Sequence, residues 1–221
     1  MEFRLATIAD SAEIAGLIYE TWQTSANEEL IAAVLSRLND PVWLATNNTT
    51  IAGFCSSFLT HAADGTPRWE IDLLAVALEA RGQGIGRRLI TRSVQSGRQR
   101  GAALYRALIA VHNAPSARCF EVNGFQPAST CNLWVGPPAD HHLTPPPHAD
   151  DAHLIPVETL TYRGIWVEGR YDLPTFEAAQ QMAQAEGRET VGAVIPEGAA
   201  HDAARIQFDH IDTYKWWVLD A

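Results

Sequence analysis

The sequence predicts an α/β protein: a mixed, mostly antiparallel sheet with flanking helices, followed by a small α/β extension. Three observations predict it. Strand-like and helix-like apolar periods alternate along the chain, three extended segments follow one another between residues 42 and 76, and a stretch rich in proline, histidine and aspartate interrupts the pattern near residue 140. With 221 residues the chain can bury a core of its own and carry more than one compact unit.

After a short strand-like start, Asp10-Ser11-Ala12-Glu13 reads as a capping box, and Ile14, Leu17, Ile18 and Trp22 follow at helical spacing. Leu30, Ile31, Val34, Leu35 and Leu38 mark a second helix that stops before Pro41. Val42 to Thr46 and Ile51 to Phe58 then flank an Asn47-Asn48 turn, and a looser turn at Asp64-Gly65 leads to a strand from Trp69 to Val76. Ile85, Leu89, Ile90 and Val94 define an amphipathic helix to about Arg98, followed by a strand from Ala103 to Val111. A helix from Ala114 to Val122 closes at Asn123-Gly124, and extended pieces at Phe125 to Ala128 and Cys131 to Val135 complete a first domain spanning 1–136. Residues 137–152 read as a linker. Residues 153–221 read as a small acidic α/β domain, with a strand at Thr159 to Glu168, a helix at Leu173 to Glu186, a strand at Thr190 to Ile195, and one long or two short strands from Arg205 to Leu219.

Composition narrows the function classes. The net charge is −10, and the chain from Asp151 onward carries five basic residues against twelve acidic ones, a net −7. An acidic chain lacks the basic face that nucleic acid requires, and it favours a cationic partner. No segment approaches the roughly 20 apolar residues of a membrane span, and Cys55, Cys119 and Cys131 are too few and scattered for a disulfide framework, so a cytoplasmic protein is expected. His141, His142, His148 and His153, with Asp140, Asp150 and Asp151, match no closed zinc pattern, and no metal is expected.

The chemistry points to Arg81-Gly82-Gln83-Gly84-Ile85-Gly86-Arg87-Arg88, between an apolar strand and an amphipathic helix. Glycines let a backbone approach an anion closely, and the free N–H groups and dipole of a helix N-terminus favour phosphate oxygens. The spacing is neither the dinucleotide-binding Gly-x-Gly-x-x-Gly nor a P-loop, so a pyrophosphate in another cofactor fits best.

This segment resembles the GNAT superfamily of N-acetyltransferases, whose signature, Arg/Gln-x-x-Gly-x-Gly/Ala after a Leu-Ala-Val-like run, is matched by Leu74-Ala75-Val76 and Arg81 to Gly86. A second family pattern is matched at Asn113, Ser116, Gly124 and Phe125, with Phe120 standing where the family has tyrosine. The resemblance covers about residues 3–136. It implies acetyl-CoA as co-substrate in a gap where the strand ending at Val76 splays from the next. The backbone of Leu74 and Val76 would pair with the pantetheine arm. The loop Arg81, Gly82, Gln83, Gly84, Ile85, Gly86 and Arg87 would hold pyrophosphate, Asn113, Ser116 and Phe120 would lie along the cofactor, and Arg118 could meet the nucleotide phosphate.

The resemblance further implies acetyl transfer to a primary amine by direct attack, with the Val76 N–H as oxyanion donor. Glu70 matches the family's catalytic glutamate, and Asp72, two residues on along the same strand, is the reserve base. Phe120 leaves the usual proton donor to the thiolate without a hydroxyl, with Cys119, Ser116 and Tyr105 as alternatives nearby. The expected acceptor is a small cationic amine ahead of a protein. The rival readings are an acyl-CoA-binding sensor that has lost the chemistry, and an interaction protein working through the acidic extension, which would either shape the acceptor side or form a homodimer interface.

Overall fold

The computed structural model describes residues 1–37, 40–47, 50–140 and 152–221. The chain forms two compact units. Unit 1 comprises Met1–Pro127 with Thr159–Thr161 and Trp217–Ala221, and unit 2 comprises Ala128–Glu158 and Tyr162–Trp216.

Unit 1 is built from β1 (Glu2–Leu5), α1 (Ser11–Trp22), α2 (Glu28–Leu35), β2 (Val42–Asn47), β3 (Thr50–His61), β4 (Pro67–Val76), α3 (Ile85–Gln99), β5 (Leu104–Ala110) and α4 (Ala114–Glu121). The strands lie in the order β1-β2-β3-β4-β5, antiparallel except for the parallel pair β4–β5 that the α3 crossover imposes. The periodic positions face inward as expected: Ile14, Leu17 and Ile18 of α1, Ile31 and Val34 of α2, and Ile85, Leu89, Ile90 and Val94 of α3 are all buried in one apolar cluster. The turn expected at Asn47-Asn48 and the residue Leu38 fall partly or wholly outside the described residues.

The start of α1 differs from the expected capping box. Asp10 makes no side-chain cap to α1 and instead binds Arg4 at 2.7 Å and the Thr7 N–H at 2.7 Å, while Glu13 accepts the N–H of Ile51. Arg4 and the Thr7 N–H occupy Asp10, and the distant Ile51 N–H occupies Glu13, so neither carboxylate is left to cap α1.

Unit 2 contains most of β6 (Gln126–Gly136), then β7 (His153–Glu158), β8 (Arg163–Glu168), α5 (Leu173–Ala185), β9 (Thr190–Pro196) and most of β10 (Asp209–Asp220), with β6 antiparallel to β9, β9 parallel to β8, and β8 antiparallel to β7. Its core joins Ile165 and Val167 of β8, Phe176, Ala179 and Ala183 of α5, and Val191, Ala193 and Ile195 of β9. The two extended pieces expected after Phe125 are a single strand, β6, and the strand expected to begin at Thr159 begins at Arg163, after a hairpin with β7.

The division into units also falls elsewhere than at the proline-rich stretch, of which residues 141–151 lie outside the described residues. It falls at Pro127/Ala128, and it assigns Thr159–Thr161 and Trp217–Ala221 to unit 1, because Leu160 is fully buried in that core and Trp217 and Leu219 pack against it. No described helix is long and apolar enough to cross a membrane.

Candidate active site

β4 and β5 pair only through Arg68↔Leu104, Trp69↔Tyr105 and Glu70↔Arg106. Just beyond, β4 carries an extra residue: Asp72 and Leu73 together oppose Ser56, between the pairs Ser57↔Ile71 and Cys55↔Leu74. Such a β-bulge bends the strand that bears it, and β4 parts from β5 at this point. The bulge also reverses the faces of β4. Before it, Trp69 Nε1 donates to Ser93 of α3 at 2.9 Å, and after it the side chains of Leu74 and Val76 are the ones that lie over Gly86 of α3.

The backbone beyond the bulge points into the gap. The Ala77 N–H donates to Ala52 O at 3.0 Å on the β3 side. Alternation along an antiparallel pair therefore turns the N–H and C=O groups of Val76 and Leu74 away from β3. The Val76 carbonyl accepts from Arg81 Nε at 3.1 Å, which anchors the signature arginine to the end of β4.

Gly82 and Gly84 have φ of 75° and 72°, the left-handed region that a side chain disfavours. Gly84 is the N-cap of α3, which has neither a side-chain cap nor an acidic residue in its first turn. A helix end left in this state presents N–H donors and a positive dipole end to an anion. Gly86 lies one residue inside, so close to α4 that a β-carbon there would stand 3.0 Å from Cys119 Sγ.

These parts line one cavity of about 520 Å³, a size typical of ligand sites. Leu74 and Val76 form its β4 wall; Arg81, Gly82, Gly84, Ile85, Gly86 and Arg87 its loop wall; and Asn113, Ser116 and Arg118 its α4 wall. Asn113 also caps α4, accepting from the Ser116 N–H at 3.1 Å. The residues fit acetyl-CoA: an open helix terminus with Arg87 beside it for the pyrophosphate, and unpaired strand backbone for the pantetheine amides. The cofactor would supply the activated acetyl thioester.

Two residues expected on the cofactor are placed otherwise. Gln83 is not on the cavity wall, and its amide reaches back to Glu79 O at 3.4 Å. Phe120 is only 2% exposed and packs edge-on against Phe125, centroids 5.0 Å apart, because an apolar ring on the inner face of α4 gains more from the core than from the cavity. Cys119, its neighbour, is on the wall, and burial pushes its thiol up, so it remains protonated. Sequence reasoning did not find Thr21 and Trp22 at the end of α1, which also line the cavity. Trp22 packs against Phe54, whose partner Ala75 lies on the face of β4 opposite α3, and an exposed tryptophan ending a helix carries no local signal of that placement.

The two candidate carboxylates have different surroundings. Glu70 is 3% exposed. Both of its oxygens accept from Arg106 Nε, at 2.9 and 2.7 Å, one also accepts the Thr60 hydroxyl, and Arg68 Nε stands 3.5 Å away. Its lone pairs are committed to a buried ion pair. Asp72, half-buried at the bulge, accepts the Ser56 hydroxyl at 3.3 Å, and burial pushes its carboxyl up to about 6, with the Thr159 and Ser56 hydroxyls opposing and the charge of Glu70 adding to the rise. Neither carboxylate is on the cavity wall. Among the described residues no group of three or more His, Cys, Asp or Glu could hold a metal; His141, His142, His148, Asp150 and Asp151 lie outside them.

A splayed parallel strand pair with an uncapped glycine-rich helix start defines an acyl-CoA-binding acyltransferase fold. The family model described as "Acetyltransferase (GNAT) family" matches residues 7–125, more than half of the chain, and the chain belongs to that family. It is an acetyl-CoA-dependent N-acetyltransferase. No curated protein matches it by sequence. Among solved structures it is similar to a ribosomal-protein-alanine N-acetyltransferase from Brucella melitensis, 25% identical, TM-score 0.54, over 60% of this chain and 88% of that one. It is also similar to YncA, a putative acetyltransferase from Salmonella typhimurium with its cofactor acetyl-CoA, 23% identical, TM-score 0.54, over 59% and 82%. A GCN5-related N-acetyltransferase from Sphaerobacter thermophilus shares the fold over 99% of this chain and 95% of its own, with a TM-score of 0.63 at 11% identity.

Proposed function

We propose that this N-acetyltransferase acetylates the primary amine of a small cationic molecule, and that Asp72 is the base that removes the proton from the amine. The carrying observation is the contrast between the two carboxylates on β4: Glu70 is committed to Arg106, while Asp72 sits at the bulge with its carboxyl raised to about 6. A base titrating near the working pH accepts a proton from an ammonium and still yields it afterwards. The backbone supports the second requirement: the Val76 N–H, turned into the gap, is the donor to the oxyanion. Arg87 and the amides at the start of α3 orient the cofactor. With Phe120 in the core, the leaving thiolate takes its proton from water or from a wall residue such as Cys119.

The net charge of −10 supports a cationic acceptor. A protein amine is the competing substrate, since the Brucella neighbour is named for a ribosomal-protein alanine. The test is thiol release from acetyl-CoA across polyamines, aminoglycoside-like amines, amino acids and peptides, in the parent and in Asp72→Asn and Glu70→Gln. Asp72→Asn is expected to lower kcat about 100-fold without weakening acetyl-CoA binding, and the parent rate is expected to fall as pH drops through about 6, where Asp72 gains its proton. A peptide outperforming every small amine would reverse the acceptor assignment. A full-rate Asp72→Asn beside a dead but folded Glu70→Gln would reassign the base.

A further inference from the structure

The side chains of β3 alternate between two faces opposite the bulge. Ser57 Oγ is hydrogen-bonded to Ser93 of α3, so Phe54, Ser56 and Thr60 lie on the other face. Each of these three holds a group of the site. Phe54 packs against Trp22 of the cavity wall, Thr60 donates to the Glu70 carboxylate, and Ser56 stands opposite the two residues of the bulge.

A β-bulge takes a backbone group out of the ladder, and a buried N–H then needs another acceptor. Ser56, 4% exposed, supplies it: its Oγ accepts the N–H of Leu73 at 3.2 Å. The same oxygen carries the hydroxyl proton, which it donates to Asp72 Oδ2 at 3.3 Å. An ionised carboxylate accepts only, so the direction of that bond is fixed. One side chain therefore holds both residues of the bulge, the backbone of Leu73 and the carboxylate of Asp72. Alanine or valine at this position would hold neither.

We propose that Ser56 is a positioning residue for the base Asp72, tying its carboxylate to the bulge at which β4 leaves β5; this rests on the reading of Asp72 as the base. The strand that bulges at Asp72 also carries Val76, so a carboxylate fixed to the bulge keeps its place relative to the oxyanion donor. A hydroxyl donor also favours the charged form of a carboxylate. It works here against burial and against the charge of Glu70, which is itself paired with Arg106 of β5 and faced by Arg68. The Cys55 thiol of β3, which feels the charge of Asp72, is pushed by burial up to about 12 and stays neutral.

The experiment uses the full chain with Ser56→Ala, with Ser56→Cys as a second variant lacking the hydroxyl, with Ser56→Thr, which keeps it, and with Asp72→Asn. Two quantities are read: kcat/KM against pH with the best amine, and the titration of the Asp72 carboxyl by carbon-13 NMR, assigned with Asp72→Asn. In Ser56→Ala the acid limb and the carboxyl titration should both move up by about half a pH unit, about a threefold loss of rate on that limb, with the KM for acetyl-CoA unchanged. Ser56→Thr should follow the parent. If Ser56→Ala does not fold, Ser56→Cys is read in the same way. Superimposable titrations in the parent and the hydroxyl-free variant overturn the proposal, as does a rate loss with an unmoved pH profile, which marks a merely structural residue. Full activity in Asp72→Asn overturns the base reading instead, and a titration that still moves in Ser56→Ala then shows Ser56 holding a carboxylate that is not the base.

Discussion

Each unit contains the same piece of architecture, an antiparallel hairpin followed by a helix and a strand parallel to the hairpin's second member: β3–β4–α3–β5 in unit 1 and β7–β8–α5–β9 in unit 2. They differ where a ligand would enter. β8 and β9 stay paired from Gly164↔Thr190 to Val167↔Ala193, one residue short of the end of β8, whereas β4 parts from β5 after Glu70 with six residues to run. At the helix start, α3 has Gly84 and no side-chain cap, while α5 has Asp172, which accepts the Thr175 N–H at 3.2 Å and the Thr175 hydroxyl at 2.7 Å. The Thr175 hydroxyl holds that carboxyl below its ordinary range. The second crossover therefore carries its own anion on the spot that the first leaves open. An open helix start beside a parted strand pair follows from a missing cap and a bulge, and the crossover alone does not create it.

The comparison breaks most visibly if a cap is added to the first crossover. Gly84→Asp should weaken acetyl-CoA binding about 100-fold by calorimetry, since a carboxylate would compete for the same amides and repel the pyrophosphate; binding within threefold of the parent would show that the helix start is not the anchor. Removing the cap of the second crossover should have a smaller effect. Asp172→Ala is expected to cost about 1 kcal/mol in denaturant unfolding and to leave acetyl-CoA turnover untouched, because β8 and β9 remain closed. Because the folded carboxyl is depressed, the cap's contribution is present above about pH 4 and fades as pH falls further, so parent and variant should converge in acid. The smallest effect tests the approach of α3 to α4. Gly86→Ala sets a methyl 3.0 Å from Cys119 Sγ, and a few-fold rise in the KM for acetyl-CoA is expected, reversed by adding Cys119→Ala; no reversal would locate the strain elsewhere.

Much of this contrast was legible from local sequence. The phase of Ile85, Leu89, Ile90 and Val94 placed α3, and the glycines before it placed the loop, because helix periodicity and positive φ are properties of neighbouring residues. The hairpin β7–β8 was not legible: Pro156 sits inside β7, and a proline is tolerated there because β7 ends the strand order and leaves one edge unpaired. Nor was the choice between Glu70 and Asp72. Two carboxylates two residues apart look alike in sequence, and they were separated by Arg106, 36 residues from Glu70, and by an extra residue in the β3–β4 register.

By itself, the sequence determined the identity and order of the secondary elements of the first unit, the glycine-rich loop that opens α3, and the family. All three rest on spacings of a few residues. The tertiary structure decided where β4 leaves β5, which carboxylate stays outside an ion pair, that Phe120 turns into the core while Cys119 faces the cavity, and that Thr159 and Trp217 rejoin the first unit. Each of these depends on groups distant along the chain competing for the same hydrogen bond or buried site, and the winner of such a competition is settled only when the chain is folded.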